Sequence, residues 1–268
     1  MGTPREEVLT GKAIDAALRG GHYAAKQIFC RDRLIAWSHR RRFEVGLRLM
    51  EPFEGKRILD YGCGDGTFLG LLFDGRHAPA AAVGAEIDAV QVNDCRARFT
   101  QLPNVRFDSI ARLDDDDHVR AYDAVVCMEV LEHVVDLDGV IARLWRALDD
   151  AGTLLVSVPV ETGLPLLMKQ AARRIAGWRG IGDYRWTTAY TIREYAAGLF
   201  AGSAQHMERP VYRDGAMPFH DHKGFNWRAL RSRLELRFVI DRVVASPLPW
   251  IGPRLATQVW LVARKKSV

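Results

Sequence analysis

The chain has 268 residues, of which 48% are hydrophobic and 26% are charged. This length and composition predict one sizeable domain with a complete hydrophobic core. The formal net charge of +5 is mildly basic, which agrees with an anionic substrate or a membrane surface but does not require nucleic acid. No stretch reaches the roughly 18 apolar residues of a membrane span, and neither a signal-peptide core nor a Cys-x-x-Cys pair occurs. We therefore expect a cytoplasmic protein with reduced thiols.

The first 50 residues are polar and basic, with helical patterns over residues 7–18 and then, with breaks, over residues 22–50. This segment precedes the first predicted strand and therefore lies outside the predicted sheet. We expect residues 1–50 to form an N-terminal helical lid over a pocket. The alternative is a solvated helical segment that packs on the domain through its apolar side chains.

A glycine-rich stretch follows the first predicted strand. That strand ends at Asp60, then come Gly62, Gly64 and Gly66, and an apolar helical run follows. Strand, glycine turn and helix is the layout of a nucleotide pocket in an open α/β sheet. The dinucleotide fingerprint Gly-x-Gly-x-x-Gly requires its third glycine where this chain has Thr67. An acid directly before the glycines also favours a ligand with a cationic end over a pyrophosphate.

A second acid ends the next predicted strand. Residues 80–88 have the pattern of a buried strand, and Glu86 lies 20 residues after Gly66 (86 − 66). An acid at this distance can accept hydrogen bonds from both ribose hydroxyls of an adenosine. Asp88 is the local alternative, but it is better placed to cap the next helix.

The third predicted strand covers residues 104–109 and ends at Asp108 and Ser109. We expect Asp108 to accept a hydrogen bond from an adenine amino group. The alternative is that Asp108 or Ser109 caps the element that follows. The fourth predicted strand begins at Tyr122 and continues directly into Glu-Val-Leu-Glu-His at residues 129–133.

The glycine stretch, Glu86, Asp108 and residues 129–133 together resemble the class I S-adenosylmethionine-dependent methyltransferases. The resemblance covers residues 55–160 and, in outline, 225–268. It implies an α/β fold with a doubly wound, seven-stranded, mostly parallel sheet, and S-adenosyl-L-methionine as the cofactor. The residues that it implies for cofactor binding are Asp60, Gly62, Cys63, Gly64, Glu86, Ile87, Asp108, Ser109, Met128 and Glu129, with Arg42 or His39 at the cofactor carboxylate.

The rest of the chain is assigned by its place in this fold. A basic amphipathic pattern over residues 164–178 is interpreted as a helix that packs on the sheet with its arginines in solvent, and the alternatives are a substrate cap or a membrane-surface patch. Two apolar runs, 238–245 and 257–264, predict a closing antiparallel hairpin. We expect a single methyltransferase domain over residues 1–268, which comprises the lid (1–50), a cofactor-binding core (51–160), a substrate-cap insertion (161–226) and C-terminal strands that complete the sheet (227–268).

His133 is our candidate general base for methyl transfer. A hydroxyl acceptor must lose its proton, and an imidazole titrates near working pH. The alternative is a structural histidine whose ring binds a backbone carbonyl, and both interpretations stay open.

A divalent metal is a further alternative, without a firm assignment. Glu129, Glu132 and His133 with a later His222 resemble the metal-binding set of small-RNA 2′-O-methyltransferases, and ubiquinone-pathway O-methyltransferases share the first part of the pattern. Gly224 interrupts the later segment, and the two histidines lie 89 residues apart (222 − 133), which departs from that family. His220 competes with His222 for the role.

These features predict a methyltransferase that acts on a hydroxyl of a small molecule, such as a sugar, a natural product, a quinol or a lipid head group. The alternatives are N-methylation of a small molecule, metal-assisted 2′-O-methylation of RNA and, without catalysis, a cofactor-binding regulatory subunit. Thr67 and Asp60 disfavour a nicotinamide-dependent oxidoreductase. No added RNA-binding module is visible, so nucleic acid is not the expected partner.

Overall fold

The computed structural model describes residues 14–178, 189–205, 207–215 and 217–266. The predictions for residues 7–13 lie outside these ranges. The helices are α1 (Asp15–Arg19), α2 (His22–Gln27), α3 (Arg33–Met50), α4 (Thr67–Asp74), α5 (Ala89–Arg98), α6 (Leu137–Ala147), α7 (Leu164–Trp178), α8 (Ile192–Leu199) and α9 (Trp227–Leu234). The strands are β1 (Arg57–Tyr61), β2 (Ala81–Glu86), β3 (Val105–Ser109), β4 (Tyr122–Met128), β5 (Leu148–Pro159), β6 (Val211–Asp214), β7 (Met217–His220), β8 (Phe238–Ser246) and β9 (Gln258–Lys265).

Among the described residues, seven strands form one mixed sheet in the order β3-β2-β1-β4-β5-β9-β8. Strand β1 pairs in parallel with both β2 and β4, and β2 pairs in parallel with β3. Strands β8 and β9 pair antiparallel, with an irregularity between Ile240 and Arg242. This sheet confirms the predicted α/β fold class and the predicted closing hairpin.

The core follows from the apolar strands. Ile58 and Leu59 of β1 are fully buried, and so are residues 124–127 of β4. Central parallel strands are covered on both faces, so their sequences read as continuous apolar runs rather than alternating ones. The apolar surface of such strands and of helix α4, removed from water, supplies the main stabilising free energy of the fold.

The structure adds two elements that the sequence patterns did not predict. Helix α9 precedes the C-terminal strands, and its cap is Asn226, whose side chain accepts the N–H of Arg228. The antiparallel pair β6–β7 lies inside the predicted substrate-cap insertion. The expected break in residues 22–50 falls between α2 and α3, where Asp32 begins α3 by accepting two backbone N–H groups.

The chain divides into two compact units. The first holds the described residues up to Met128 together with Arg143–Leu155, and the second holds Glu129–Ala142 and Val156–Lys266. The glycine loop (residues 62–66) lies in the first unit, and residues 129–133 lie in the second. The single-domain assignment stays a prediction. In the described residues, no helix combines the length and the apolar character that crossing a bilayer requires.

Candidate active site

The glycine loop turns the chain from β1 into α4. Gly62, Gly64 and Gly66 all have positive φ angles, of 73°, 54° and 73°. The N–H groups of Gly62 and Cys63 both donate to the carbonyl of Ala85 at the end of β2, at 2.8 and 3.1 Å. A Cβ on Gly66 would lie 2.8 Å from the ring of Phe99, so the glycine is required for both its backbone conformation and its space.

Glu86 connects this loop to the end of β2. Its carboxylate accepts a hydrogen bond from the N–H of Gly64 at 2.8 Å through Oε2 and from the N–H of Ile87 at 2.7 Å through Oε1. Glu86 is only 8% exposed. A carboxylate oxygen can accept more than one hydrogen bond, so both oxygens keep acceptor capacity for ribose hydroxyls. The ribose role of Glu86 stays a prediction.

Asp60 is the penultimate residue of β1, which ends one residue later than predicted, at Tyr61, and Asp60 is only 2% exposed. Within the described residues, its Oδ2 atom is buried and has no hydrogen-bond partner. Burial and, secondarily, the charge of Glu86 raise the pKa of Asp60 to about 8. A cationic or hydrogen-bond-donating ligand group would relieve both costs. The ammonium group of S-adenosylmethionine has these properties, and the role of Asp60 in cofactor binding stays a prediction.

The N-terminal helices contact the same loop. Asp65 accepts the N–H groups of Tyr23 and Ala24 in the first turn of α2 at 2.8 and 3.0 Å. Arg98 donates to the carbonyls of Asp65 and Ala17 at 2.6 and 2.7 Å. These contacts support the lid interpretation, which stays a prediction. Neither Asp65 nor Arg98 was predicted from the sequence, although for Asp65 an acid just before a helix that begins at Thr67 is a recognisable signal.

The acid at the end of β3 has partners in the protein. Asp108 is buried and forms ion pairs with Arg96 at 3.0 Å and with Arg106 at 2.6 Å, one at each carboxylate oxygen. Its adenine role stays a prediction, in which the amino group would share the carboxylate with two guanidinium groups. Ser109 Oγ accepts the N–H of Ala111 and so caps the following turn. Asp88 caps α5, which confirms the capping interpretation of that residue.

The other predicted cofactor residues take varied positions. Cys63 is buried, and burial raises the pKa of its thiol. Ile87 is exposed and Met128, the last residue of β4, is half-buried. Arg42, on α3, donates to the side chain of Gln27 at 2.9 Å. Their roles in cofactor binding stay predictions.

In the second unit, Glu129 follows β4 in an unusual backbone conformation. Its φ angle is 57°, a left-handed value that is uncommon for a residue other than glycine. Its N–H donates to the carbonyl of Ser157 at 2.9 Å. Its Oε1 accepts from Ser157 Oγ at 3.1 Å and from Gln258 Nε2 at 2.6 Å. Backbone strain held in place by a hydrogen-bond network is common at functional sites.

Three of the four candidate metal ligands lie together. The ligand atoms of Glu132, His133 and His222 all lie within 4.8 Å of one another, and this group is called the histidine cluster below. Glu132 is fully buried, and the edge of one imidazole faces the other with ring centroids 4.9 Å apart. Two imidazoles and a carboxylate suit Zn²⁺, Fe²⁺ or Mn²⁺ by ligand type. Glu129 is not part of this group.

His133 has a defined hydrogen bond at one ring nitrogen. Its Nδ1 lies 2.8 Å from the carbonyl oxygen of His220, and its Nε2 lies 3.9 Å from Glu132 Oε1. The backbone-carbonyl interpretation of His133 therefore matches the geometry. His220 directs its own Nδ1 to the carbonyl of Pro210, so His222 and not His220 joins the cluster. Burial lowers the pKa of His222 to about 4, which keeps this ring neutral.

A buried ion triad lies at the end of β5. Glu161, 1% exposed, binds Lys169 at 2.9 Å and Arg173 at 3.2 Å, both through Oε1. These two cations lower the pKa of Glu161 against the opposing effect of burial. The triad accounts for two charges of the basic helix, and it corrects the expectation that Arg173 is solvated. The sequence signal for this triad is an acid two residues after the end of β5, followed at intervals of eight and twelve residues by the two cations.

The comparisons with known proteins agree with this geometry. A protein-family model described as a methyltransferase domain matches residues 34–199, more than half of the chain. A ubiquinone biosynthesis O-methyltransferase from Mesorhizobium japonicum is 33% identical over 191 residues, which cover 68% of this chain and 70% of the relative. A protein of the same name from Methylocella silvestris is 32% identical over 160 residues, which cover 56% of this chain and 58% of the relative.

A solved structure shows the same fold. An S-adenosylmethionine-dependent methyltransferase from Mesorhizobium loti superposes with a TM-score of 0.52 at 16% identity, over 82% of this chain and 96% of that one. The glycine loop between two strand-end acids, the seven-stranded sheet and the match over residues 34–199 thus lead to one conclusion. The chain belongs to the class I S-adenosylmethionine-dependent methyltransferases.

Proposed function

We propose that this methyltransferase transfers the methyl group to a hydroxyl oxygen of a small molecule, with His133 as the general base. The relatives from Mesorhizobium and Methylocella are both named O-methyltransferases, which supports oxygen over nitrogen as the acceptor atom. Their named pathway supports a phenolic or quinol-like acceptor. The second relative is matched over less than two thirds of its length, so its substrate is carried over only at the level of this class.

One observation carries the assignment of His133. A carbonyl oxygen can only accept, so the 2.8 Å contact with His220 requires that Nδ1 of His133 carries the proton. Nε2 of the neutral ring then holds a free electron pair, as a base requires. The side chain of His133 is 40% exposed, so an acceptor hydroxyl can reach it. The structural and catalytic interpretations of His133 thus become compatible.

The remaining residues have supporting roles in this mechanism. S-adenosylmethionine supplies, when bound, a methyl group that is already activated by a sulfonium. Asp60 and Glu86 would hold its amino acid and ribose parts at the glycine loop. Nε2 of His133 would take the proton of the acceptor hydroxyl while the methyl group passes to the acceptor oxygen and its bond to the sulfonium sulfur breaks. The neutral His222 places no second positive charge beside the resulting imidazolium.

The test replaces His133 by Asn. The amide nitrogen of Asn can keep a hydrogen bond to the His220 carbonyl, but no base remains at the position of Nε2. We expect methyl transfer to hydroxylated metabolites, measured with labelled cofactor, to fall by at least about a hundredfold. Calorimetry with S-adenosylhomocysteine is the control and should show unchanged affinity. Turnover equal to that of the wild type would remove His133 from the mechanism.

Metal-assisted O-methylation is a second candidate, and the ribose 2′-hydroxyl of RNA would be one possible acceptor. The specific observation that favours it is the histidine cluster, with its three ligand atoms within 4.8 Å. Glu132, His133 and His222 would hold the ion, which would lower the pKa of an acceptor hydroxyl. This candidate predicts that EDTA abolishes methyl transfer and that added Mn²⁺ or Zn²⁺ restores it. Activity that is unaffected by EDTA would reject it.

A further inference from the structure

Arg209 connects the two chain segments that form the histidine cluster. A single nitrogen of its guanidinium, Nη2, lies 2.5 Å from the carbonyl oxygen of Glu132 and 2.6 Å from that of Asp221. The guanidinium also lies over the ring of Phe225, 5.2 Å from its centroid. Nη2 carries two hydrogens in the guanidinium plane, so it can donate one to each carbonyl.

Each of the two carbonyls belongs to the residue directly before a histidine of the cluster. Glu132 directly precedes His133, and Asp221 directly precedes His222. Arg209 therefore holds each segment one residue before the histidine that it contributes. Two further hydrogen bonds lie between the same segments: the N–H of His220 donates to the carbonyl of His133 at 3.0 Å, and Nδ1 of His133 donates to the carbonyl of His220 at 2.8 Å.

Keeping a guanidinium at this place has an energetic cost. Burial lowers the pKa of Arg209 to about 10, and its Nε atom is buried without a hydrogen-bond partner among the described residues. The hydrogen bonds of Nη2 go to backbone carbonyls, and the nearby carboxylates of Asp221 and Glu132 offset only part of the effect of burial on this charge. The geometry of Nη2, which contacts both chain segments, is therefore the feature that points to a role for Arg209.

We propose that Arg209 is a positioning residue for methyl transfer, which fixes the Nδ1-protonated form of His133 by holding the 132–133 and 220–222 segments together. Without it, the His220 carbonyl would move away from Nδ1, and the ring would adopt the Nε2-protonated form. That form has no electron pair at Nε2. This inference rests on the proposed role of His133, but its test requires no methyl acceptor.

The test compares Arg209→Met with Arg228→Met. Arg228 is a matched control, because it also donates to a backbone carbonyl, that of Ala201 at 2.8 Å, and lies over an aromatic ring, that of Trp227 at 5.4 Å. Two-bond ¹H–¹⁵N spectra of metal-free protein report the protonated nitrogen of each histidine ring, and the His133→Asn variant assigns the His133 signals. We expect the Nδ1-protonated pattern of His133 in the wild type and in Arg228→Met, and its loss in Arg209→Met.

An unchanged His133 pattern in a folded Arg209→Met variant would overturn the proposal. If that variant does not fold, the wild-type protein decides through its guanidinium hydrogens. Those on Nη2 of Arg209 should exchange with solvent at least tenfold more slowly than those of the exposed Arg254. Equal exchange rates would overturn the proposal. Loss of the pattern in Arg209→Met together with full activity of His133→Asn would refute the general base and leave the positioning contact intact.

Discussion

The glycine loop of the first unit and the histidine cluster of the second unit are built in opposite ways. The glycine loop uses neighbouring parts of the sheet, because β1 and β2 pair directly in parallel and the acids Asp60 and Glu86 lie at or next to their last residues. Its contacts are mainly backbone N–H groups to a carbonyl or a carboxylate. The histidine cluster joins segments 89 residues apart (222 − 133), and side chains make most of its contacts.

This difference separates two kinds of constraint. The conformation of the glycine loop depends on which positions lack a Cβ and on which carboxylates are buried. Single substitutions there should therefore change stability through backbone strain and desolvation. A cluster made by side chains depends on the relative placement of distant segments, so its sensitive residues include some that touch no reactant. Arg209 is such a residue in our proposal.

The largest effect that tests the backbone-built site is the pH dependence caused by Asp60. Burial raises the pKa of Asp60 from 3.8 to about 8, so between these values the folded state keeps a proton that the unfolded state has released. The stabilisation by the neutral carboxyl is complete below about pH 4 and is lost as the pH rises to about 8. Asp60→Asn does not titrate, so its stability relative to the wild type should rise by about 3–4 kcal/mol between about pH 5 and about pH 8.

Urea denaturation of both proteins across this pH range measures the difference. Asp138→Asn is the control, because Asp138 is exposed and its side chain forms an ion pair with the exposed Arg233. Its stability relative to the wild type should change little with pH. A parallel pH dependence of wild type and Asp60→Asn would show that Asp60 is already ionised in the cofactor-free protein, and the argument for a cationic ligand group at Asp60 would fail.

The same contrast explains how much the sequence could predict. The glycine spacing, the acids near strand ends and the apolar strands are local patterns, and they sufficed to predict the fold class and the cap at Asp88. The short β6–β7 pair and helix α9 were missed because their segments are short and lack a long hydrophobic period.

The histidine cluster was only partly predictable. Residues 129–133 and His222 could be named from a family resemblance, but the choice between His220 and His222 depends on which ring turns toward Glu132, and no local pattern encodes that. The contacts of Arg209 and Arg98 with backbone carbonyls leave no sequence signal either, because any arginine can reach a carbonyl and only the fold decides which one does.

The next effect compares the two units through a pair of glycines. Gly66 in the first unit and Gly224 in the second both have a φ angle of 73°, and in both an added Cβ would lie 2.8 Å from its nearest neighbour. At Gly66 that neighbour is the ring of Phe99, which stacks on Phe107 in the core. Gly66→Ala should therefore suffer both backbone strain and overpacking, and its free energy of unfolding should fall by about 2–5 kcal/mol in urea denaturation.

Gly224→Ala should be milder, because its neighbour is the side chain of Met207, which is flexible and can move aside. Only the left-handed backbone cost remains, about 1–2 kcal/mol. The same measurement on both variants thus separates steric rigidity from backbone strain at equal φ. Equal losses would mean that the aromatic pair behind the glycine loop yields as readily as a methionine. The glycine loop would then require glycine at position 66 only for its φ angle. The proposed difference in steric rigidity between the surroundings of Gly66 and Gly224 would no longer hold.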